Sequence, residues 1–364
     1  MGFKCGIIGL PNVGKSTIFN ALTAACAEVA NYPFCTIEPN IGMVPVPDPR
    51  LTALAKLIQP QKVTPTAVEF VDIAGLVKGA SRGEGLGNKF LGHIREVDAM
   101  VHIVRCFENP NVVHVDGTID PLRDLDIVQM ELILADLETI EKRIEKVEKL
   151  AKVGDKDARK TLELYHQIHE GLGKGVPAGA MPRHEDWDVF LTDLHLLTAK
   201  KMLIVANVSE AILKTDGDLV RRLEEKAAAE GNRVIAICGD LEAEIAELPP
   251  EERTEFLKDM GLQESGLEKL IHAGYKLLDL ITFYTTVGPE LRAWTIPQGT
   301  KAPKAAGKIH TDMERGFIRA EIVHYDDFIQ LGGMHGAKES GRVHAEGRDY
   351  TIQDGDIAHF RFNV

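Results

Sequence analysis

A chain of 364 residues with 44% hydrophobic and 27% charged side chains has the composition of a soluble globular protein. It is too long for one ordinary core, which points to two or three domains. The net charge of −13 excludes a uniformly basic nucleic-acid surface but leaves room for a local basic patch. Cys5, Cys26, Cys35, Cys106 and Cys238 are scattered, without C-x-x-C pairs or metal-ligand spacing, so buried thiols in a reducing compartment are expected. No apolar run approaches membrane-spanning length, and the chain enters a strand pattern at once, without room for a signal peptide. A cytoplasmic protein without membrane contact is expected, and nothing in the sequence demands an oligomer.

The first element is a short apolar run, Phe3–Ile8, that reads as a buried strand. It leads into Gly9-Leu10-Pro11-Asn12-Val13-Gly14-Lys15-Ser16, which fits G-x-x-x-x-G-K-[ST], and a helix pattern opens at Thr17. Strand, glycine-rich loop and helix are the context in which this motif cradles phosphates: the glycines let the backbone wrap the anion, and loop amides and helix N-terminus face it. Asn12, Val13, Gly14, Lys15, Ser16 and Thr17 are the expected phosphate-binding set. Lys15 would sit between the β- and γ-phosphates, and Ser16 would hold Mg²⁺.

Ala67–Asp72 predicts a second strand, ending in Asp72-Ile73-Ala74-Gly75. An Asp-x-x-Gly there can hold the Mg²⁺ shell through Asp72, while the Gly75 N–H meets the γ-phosphate. Thr36, in Tyr32-Pro33-Phe34-Cys35-Thr36-Ile37, lies between the two motifs and is placed to complete the metal coordination. Gly75, Gly79, Gly83, Gly85 and Gly87, with Lys78 and Arg82 among them, suit a loop that reorders with the γ-phosphate.

Ala99–Arg105 is a third strand. From about residue 125, Ile133, Leu137, Ile140, Ile144, Val147 and Ala151 recur at spacings of four and three, with Glu and Lys between them. Gly154-Asp155 turns the chain, and Ala158, Leu162, Tyr165, His169 and Leu172 form a returning seam, so a helical hairpin interrupts the α/β pattern. That pattern resumes with a strand at Lys201–Asn207, a helix at Asp218–Glu230, a strand at Arg233–Cys238 and a closing helix at Gly266–Leu280. From 279 onward short strands and turns predict a small β-rich domain. The expected division is therefore 1–278 for the nucleotide domain, with a helical insertion at 125–185, and 279–364 for the terminal domain.

Gly-Leu-Pro-Asn-Val-Gly-Lys-Ser, followed by Asp-Ile-Ala-Gly-Leu-Val-Lys-Gly-Ala, resembles the Obg family of P-loop NTPases, and within it the YchF, or Obg-like ATPase, subfamily. The resemblance covers essentially the whole chain. It implies an α/β G domain with a mainly parallel sheet, an inserted coiled-coil hairpin and a C-terminal β-grasp-like TGS domain. A GTPase of this class carries Asn-Lys-x-Asp after a buried strand, whereas here the strand ends in Asn207-Val208-Ser209-Glu210. Valine removes the flat stem that packs on the base, and the longer glutamate crowds the guanine donors, so guanine selectivity is weakened. The subfamily is similar in preferring ATP; Asn207 and Val208 would then line the adenine pocket, with Cys238-Gly239-Asp240 nearby.

Where many GTPases place a water-orienting glutamine after Asp-x-x-Gly, this chain has Leu76. In related NTPases an asparagine at the position of Asn12 helps hold a potassium ion near the β/γ bridge, which suggests K⁺ beside Mg²⁺. His114, on a loop after the third strand, is the candidate catalytic histidine, with Lys15 and Asn12 as the other catalytic residues; His93 is a weaker candidate, and the alternative for both histidines is a plain structural role. Lys142, Arg143, Lys146, Lys149 and Lys152 on the hairpin, mixed with Glu138, Glu141, Glu145 and Glu148, are either a solvated helix face or contacts to a partner, and Lys301, Lys304, Lys308, Arg315 and Arg319 in the terminal domain are candidate contacts to the ribosome or another RNA partner. Phe317, beside the second set, is either core or a stacking platform. The resulting expectation is a Mg²⁺-dependent nucleotide-switch ATPase, slow by itself. The alternatives are a GTPase, or a scaffold that ATP controls by binding alone.

Overall fold

The computed structural model describes residues 3–27, 40–73, 87–115, 117–182, 194–215 and 217–363. Its first sheet contains β1 (Lys4–Ile8), β2 (Ile41–Pro45), β4 (Ala67–Asp72), β5 (Ala99–Arg105), β6 (Lys201–Asn207) and β7 (Arg233–Ile237) in the order β2-β4-β1-β5-β6-β7. All neighbours are parallel except β2 and β4. β5 is buried along its whole length and β1 along most of it, as expected of strands covered by helices on both faces; such strands read as unbroken apolar runs. β1 lies between β4 and β5, so the crevice for a ligand opens at its carboxyl end, where the phosphate loop begins.

Helix α1 (Lys15–Ala27) follows that loop, and α3 (Gly87–Glu96) precedes β5. The hairpin is α4 (Pro121–Lys152) and α5 (Lys156–Gly173). Helix α4 starts before residue 125, because Asp120 caps it by accepting from the Arg123 N–H and Pro121 suits the first turn. Its first third packs in the nucleotide domain through Leu125, Val128 and Leu132; Ile133 and Ile140 then join Tyr165 and Leu172 in a separate core. One seam residue needs correcting: Ile168 is fully buried there, whereas His169 stays partly exposed at the edge and meets Glu141 at 3.3 Å. An isoleucine loses little on desolvation, while an imidazole keeps a polar partner.

Asp136 fastens the hairpin to the sheet domain. Its carboxylate is buried and accepts from the N–H groups of Leu197 and Thr198 at 2.8 Å and from the Thr198 hydroxyl at 2.7 Å.

The second sheet contains β8 (Leu280–Val287), β9 (Glu290–Pro297), β10 (Phe317–Val323), β11 (His344–Glu346) and β12 (Ile357–Phe362) in the order β11-β10-β12-β8-β9, with β12 and β8 parallel. The other four pairings of these strands and their outer neighbour run antiparallel except at the far edge, and helix Ala302–Ile309 covers the sheet, burying Ala302, Ala305 and Ala306 against Phe283 and Phe360. This is the β-grasp arrangement. Four helical stretches, at Ala302–Ile309, Thr311–Arg315, Tyr325–Gln330 and Met334–Glu339, stand where the sequence suggested only short strands and turns. Phe317 is core, packed against Phe360.

The far edge was not foreseen. Between β2 and β4 the chain leaves the first sheet altogether. Helix α2 (Pro49–Ile58) packs on the terminal domain, and β3 (Lys62–Thr64) adds to its sheet, parallel to β9. Residues 49–64 thus belong structurally to the second sheet although they precede it by more than two hundred positions.

Candidate nucleotide site

The loop from Gly9 to Gly14 is shaped by three left-handed or extended glycine-type conformations: Gly9 at φ 149°, Asn12 at 62° and Gly14 at 92°. A Cβ on Gly9 would stand 2.5 Å from the Ile103 carbonyl oxygen, and one on Gly14 would stand 2.2 Å from Asn207 Nδ2, so neither position admits a side chain. Asn207, at the end of β6, is a brace rather than a free pocket wall. Its Nδ2 donates to the Val13 carbonyl at 2.9 Å, and its Oδ1 accepts from the Gly239 N–H at 3.0 Å.

Lys15 opens α1 and is only 8% exposed. Its Nζ donates to the Leu10 carbonyl at 2.7 Å. Burial pulls its pKa down to about 8, against the opposing pull of Asp72. Asp72, at the end of β4, has its pKa raised by burial, with Lys15 and Ser16 working the other way. Ser16 Oγ lies 3.4 Å from Asp72 Oδ2, and Asp72 Oδ1 is buried with no hydrogen-bond donor. A buried ammonium and a carboxylate with an orphaned oxygen, close together at a helix N-terminus, fit a phosphate and a divalent cation respectively. Beneath them His102 is buried and held neutral, its pKa pushed down to about 3 by burial and by the Lys15 charge.

Asn12 Nδ2 donates to the Val113 carbonyl at 3.1 Å, which joins the phosphate loop to the segment carrying His114. His114 does not face an open site. It is 5% exposed, and its Nε2 lies 2.8 Å from Asp124 Oδ2 in the first turn of α4. Arg105, which sequence reading passed over, organises this segment. Its buried guanidinium donates to the carbonyls of Phe107, Asn109 and Val112 at 3.1, 3.3 and 3.0 Å and stacks 4.6 Å from the Phe107 ring centroid. A lone arginine ending an otherwise apolar strand was the available signal.

Val208 requires a correction: it is 2% exposed and packs into the core with Leu223 and Leu241, so its side chain supports the base-side loop instead of lining an open pocket. Glu210 is exposed at the start of helix Glu210–Leu213 and pairs with Lys214 at 2.9 Å. His93 is exposed on α3. Thr36, Gly75 and Leu76 lie outside the described residues, as do Lys78, Arg82 and Cys35. Cys5, Cys106 and Cys238 are buried free thiols, and burial pushes the first two up to about 12.

Among the sequence-predicted residues, the structure therefore brings Asn12, Val13, Gly14, Lys15, Ser16, Asp72 and Asn207 together, with Thr17 in the first turn of α1. It leaves His114 beside them in a closed pair.

Residues 4–156 match a family described as 50S ribosome-binding GTPase, and residues 280–363 match the YchF-GTPase C-terminal family, described as a protein of unknown function. The chain is 54% identical over 366 residues to the ribosome-binding ATPase YchF of Bacillus subtilis strain 168, with all of both chains covered. It is 53% identical over 364 residues to the protein of that name from Escherichia coli O157:H7, again with both chains fully covered. The solved structure of the Schizosaccharomyces pombe YchF GTPase superposes with a TM-score of 0.91 at 36% identity, covering 99% of this chain and 98% of that one.

Proposed function

The chain belongs to the YchF family of P-loop nucleotide hydrolases, and from that premise we propose that it is a Mg²⁺-dependent switch ATPase that prefers ATP to GTP and works on the ribosome. The observation that carries the nucleotide reading is the pair formed by Lys15 and Asp72. Lys15 is buried, Asp72 is half-buried with its Oδ1 buried and lacking a hydrogen-bond donor, and together they would be satisfied by a metal–triphosphate. Ser16 and Asp72, with Thr36, would hold Mg²⁺, which when bound would supply positive charge against that of the phosphates. Lys15 would release the Leu10 carbonyl and turn to the phosphates, and the amides of Asn12–Thr17 and Gly75 would complete the cradle.

The Asn12 amide donates through Nδ2 to Val113, which leaves its carbonyl oxygen as the ligand offered to a K⁺ ion. Adenine preference rests on the missing lysine and aspartate at Val208 and Glu210; Asn207 keeps the base-side loop in place by bracing Val13.

His114 is the proposed group acting on the attacking water, and it must first leave Asp124. Its closed pairing favours a slow intrinsic turnover that a partner accelerates. Among the described residues no helix is long and apolar enough to cross a membrane, and a monomer acting in the cytoplasm is the proposed state. Partner contact is assigned to the hairpin and to the terminal domain at 279–364. The hairpin tip exposes Leu150 and Val153, at 58% and 88%, beside Lys149 and Lys152. In the terminal domain much of the basic set is already paired: Lys301 with Asp349, Lys304 with Glu314 and Arg319 with Glu321. The hairpin's basic set is paired in part as well, Lys142 with Glu138 and Lys152 with Glu148, so both surfaces stay candidates for the partner's phosphates.

Phosphate release from Mg·ATP by the purified chain tests the enzymatic part. His114→Ala is expected to lower turnover roughly 10²-fold while ATP affinity stays near wild type; unchanged turnover would remove His114 from the mechanism. A second expectation follows from Lys15. Its pKa of about 8 must rise when phosphate arrives, so binding takes up a proton. Affinity for ATP should be highest below pH 8 and fall by up to about tenfold per unit above it. Calorimetry at pH 9 in buffers of different ionisation enthalpy would show the uptake directly.

A further inference from the structure

The excursion between β2 and β4 has a tightly built neck and a firmly anchored far end. At the neck the Val46 N–H donates to the Thr66 carbonyl at 2.9 Å. Beyond it, Leu51 and Leu54 of α2 are buried with Tyr284, Leu291 and Phe328, and the N–H groups of Gln61 and Lys62 donate to the Pro289 carbonyl. A polar cluster completes the anchor. Asp48 caps α2 by accepting from the Arg50 N–H, and it also accepts from the Tyr284 hydroxyl. Arg50 donates to Asp48 through Nε and, across the domain boundary, to Asp354 Oδ2 at 2.7 Å; Asp354 Oδ1 in turn accepts from the Thr282 N–H.

On the nucleotide side, β2 and β4 pair from Pro45 opposite Ala67 to Ile41 opposite Val71. The ladder ends where the Asp72 N–H donates to the Asn40 carbonyl at 2.8 Å. Asp72 therefore stands at one end of the β2–β4 ribbon, about 17 Å long at 3.3–3.4 Å per residue, which forms the edge of the first sheet and is held on its inner side by β1, with Ile7 opposite Asp72. The other end of the ribbon is clamped in the terminal domain.

We infer that Arg50 is a positioning residue for the nucleotide site: by locking the 46–66 excursion to Asp354 it fixes the ribbon, and with it the placement of the Asp72 carboxylate for the metal. This rests on the nucleotide reading of Lys15 and Asp72. The coupling is reciprocal, so a ligand that shifts α2 and β3 changes metal–nucleotide affinity, and metal–nucleotide binding changes affinity for that ligand by the same factor.

The test uses the full chain and a non-hydrolysable ATP analogue, titrated with Mg²⁺ and, separately, in EDTA. Arg50→Ala is expected to raise the half-saturating Mg²⁺ concentration about fivefold or more, the scale of a typical coupling between sites. Arg50→Lys, which keeps the charge but not the planar fork, should fall between alanine and wild type. Tyr284→Phe removes only the hydroxyl on Asp48, guards against a general loosening of the domain, and should shift the midpoint the same way by a smaller factor. Nucleotide affinity in EDTA should not move. Mg²⁺ midpoints of Arg50→Ala and Tyr284→Phe within about twofold of wild type would overturn the inference. So would an equal loss of affinity with and without Mg²⁺, which marks mere destabilisation. A wild-type chain that binds no nucleotide overturns the underlying reading instead.

Discussion

Replacing Lys15 by alanine is expected to lower affinity for Mg·ATP by roughly 10²–10³-fold, the scale seen when one preorganised donor to a developing or resident phosphate charge is removed. The same change should not weaken the fold. In the free protein Lys15 is buried against a single backbone carbonyl, and burial has already pulled its pKa down to about 8, so the charged ammonium is held at a cost. Thermal melting of Lys15→Ala is therefore expected at or above the wild-type midpoint, and calorimetry with Mg·ATP should show binding largely gone. Many functional sites trade stability in this way. A variant that melted several degrees lower would mean that Lys15 is a structural residue.

Asp136→Ala should do the opposite. Its carboxylate accepts from two backbone amides and a hydroxyl, all buried, and nothing else described in the site replaces it. At about 1–3 kcal/mol for each buried donor left unpaired, with partial relaxation, a loss of about 3–5 kcal/mol is expected. A lower urea midpoint with an unchanged m-value would record it. Asp136→Asn should cost less, because the amide oxygen still accepts from one of the donors. Mg·ATP affinity of folded Asp136→Asn should stay near wild type, since Asp136 serves the root of the hairpin.

The nucleotide domain was largely legible because its signals are local. A strand, a glycine-rich turn and a helix start stand within twenty residues, and β4, β5 and β6 are mostly apolar runs, broken only by Glu69 and His102 and bounded by polar ends, whose lengths define them well. The hairpin was legible for the same reason, through its repeat. Its placing of His169 where Ile168 belongs came from extending a spacing past the point where packing chose the residue that tolerates desolvation. The excursion at 46–66 was not legible. Strand β3 has three residues, two of them exposed, and its partner lies in a domain more than two hundred positions away. No periodicity carries such a pairing.

The site was legible by type and less so by state. The motif named Lys15, Ser16 and Asp72, and the structure brings them together. It could not show that Asn207 is occupied as a brace, that Val208 is core, or that His114 is paired with Asp124. Those depend on which side chains meet across β5, β6 and α4. Arg105 illustrates the limit: its type and position were visible, but only the folded loop shows three carbonyls converging on its guanidinium.

The proposed adenine-preferring, metal-dependent phosphate site is built on Lys15 and Asp72, with a base-side loop at Asn207–Glu210. Its most direct test is a side-by-side equilibrium titration of the purified full chain with ATP and GTP in Mg²⁺. Tighter binding of ATP, by about tenfold or more, is the expected result. Clearly tighter binding of GTP would contradict the account.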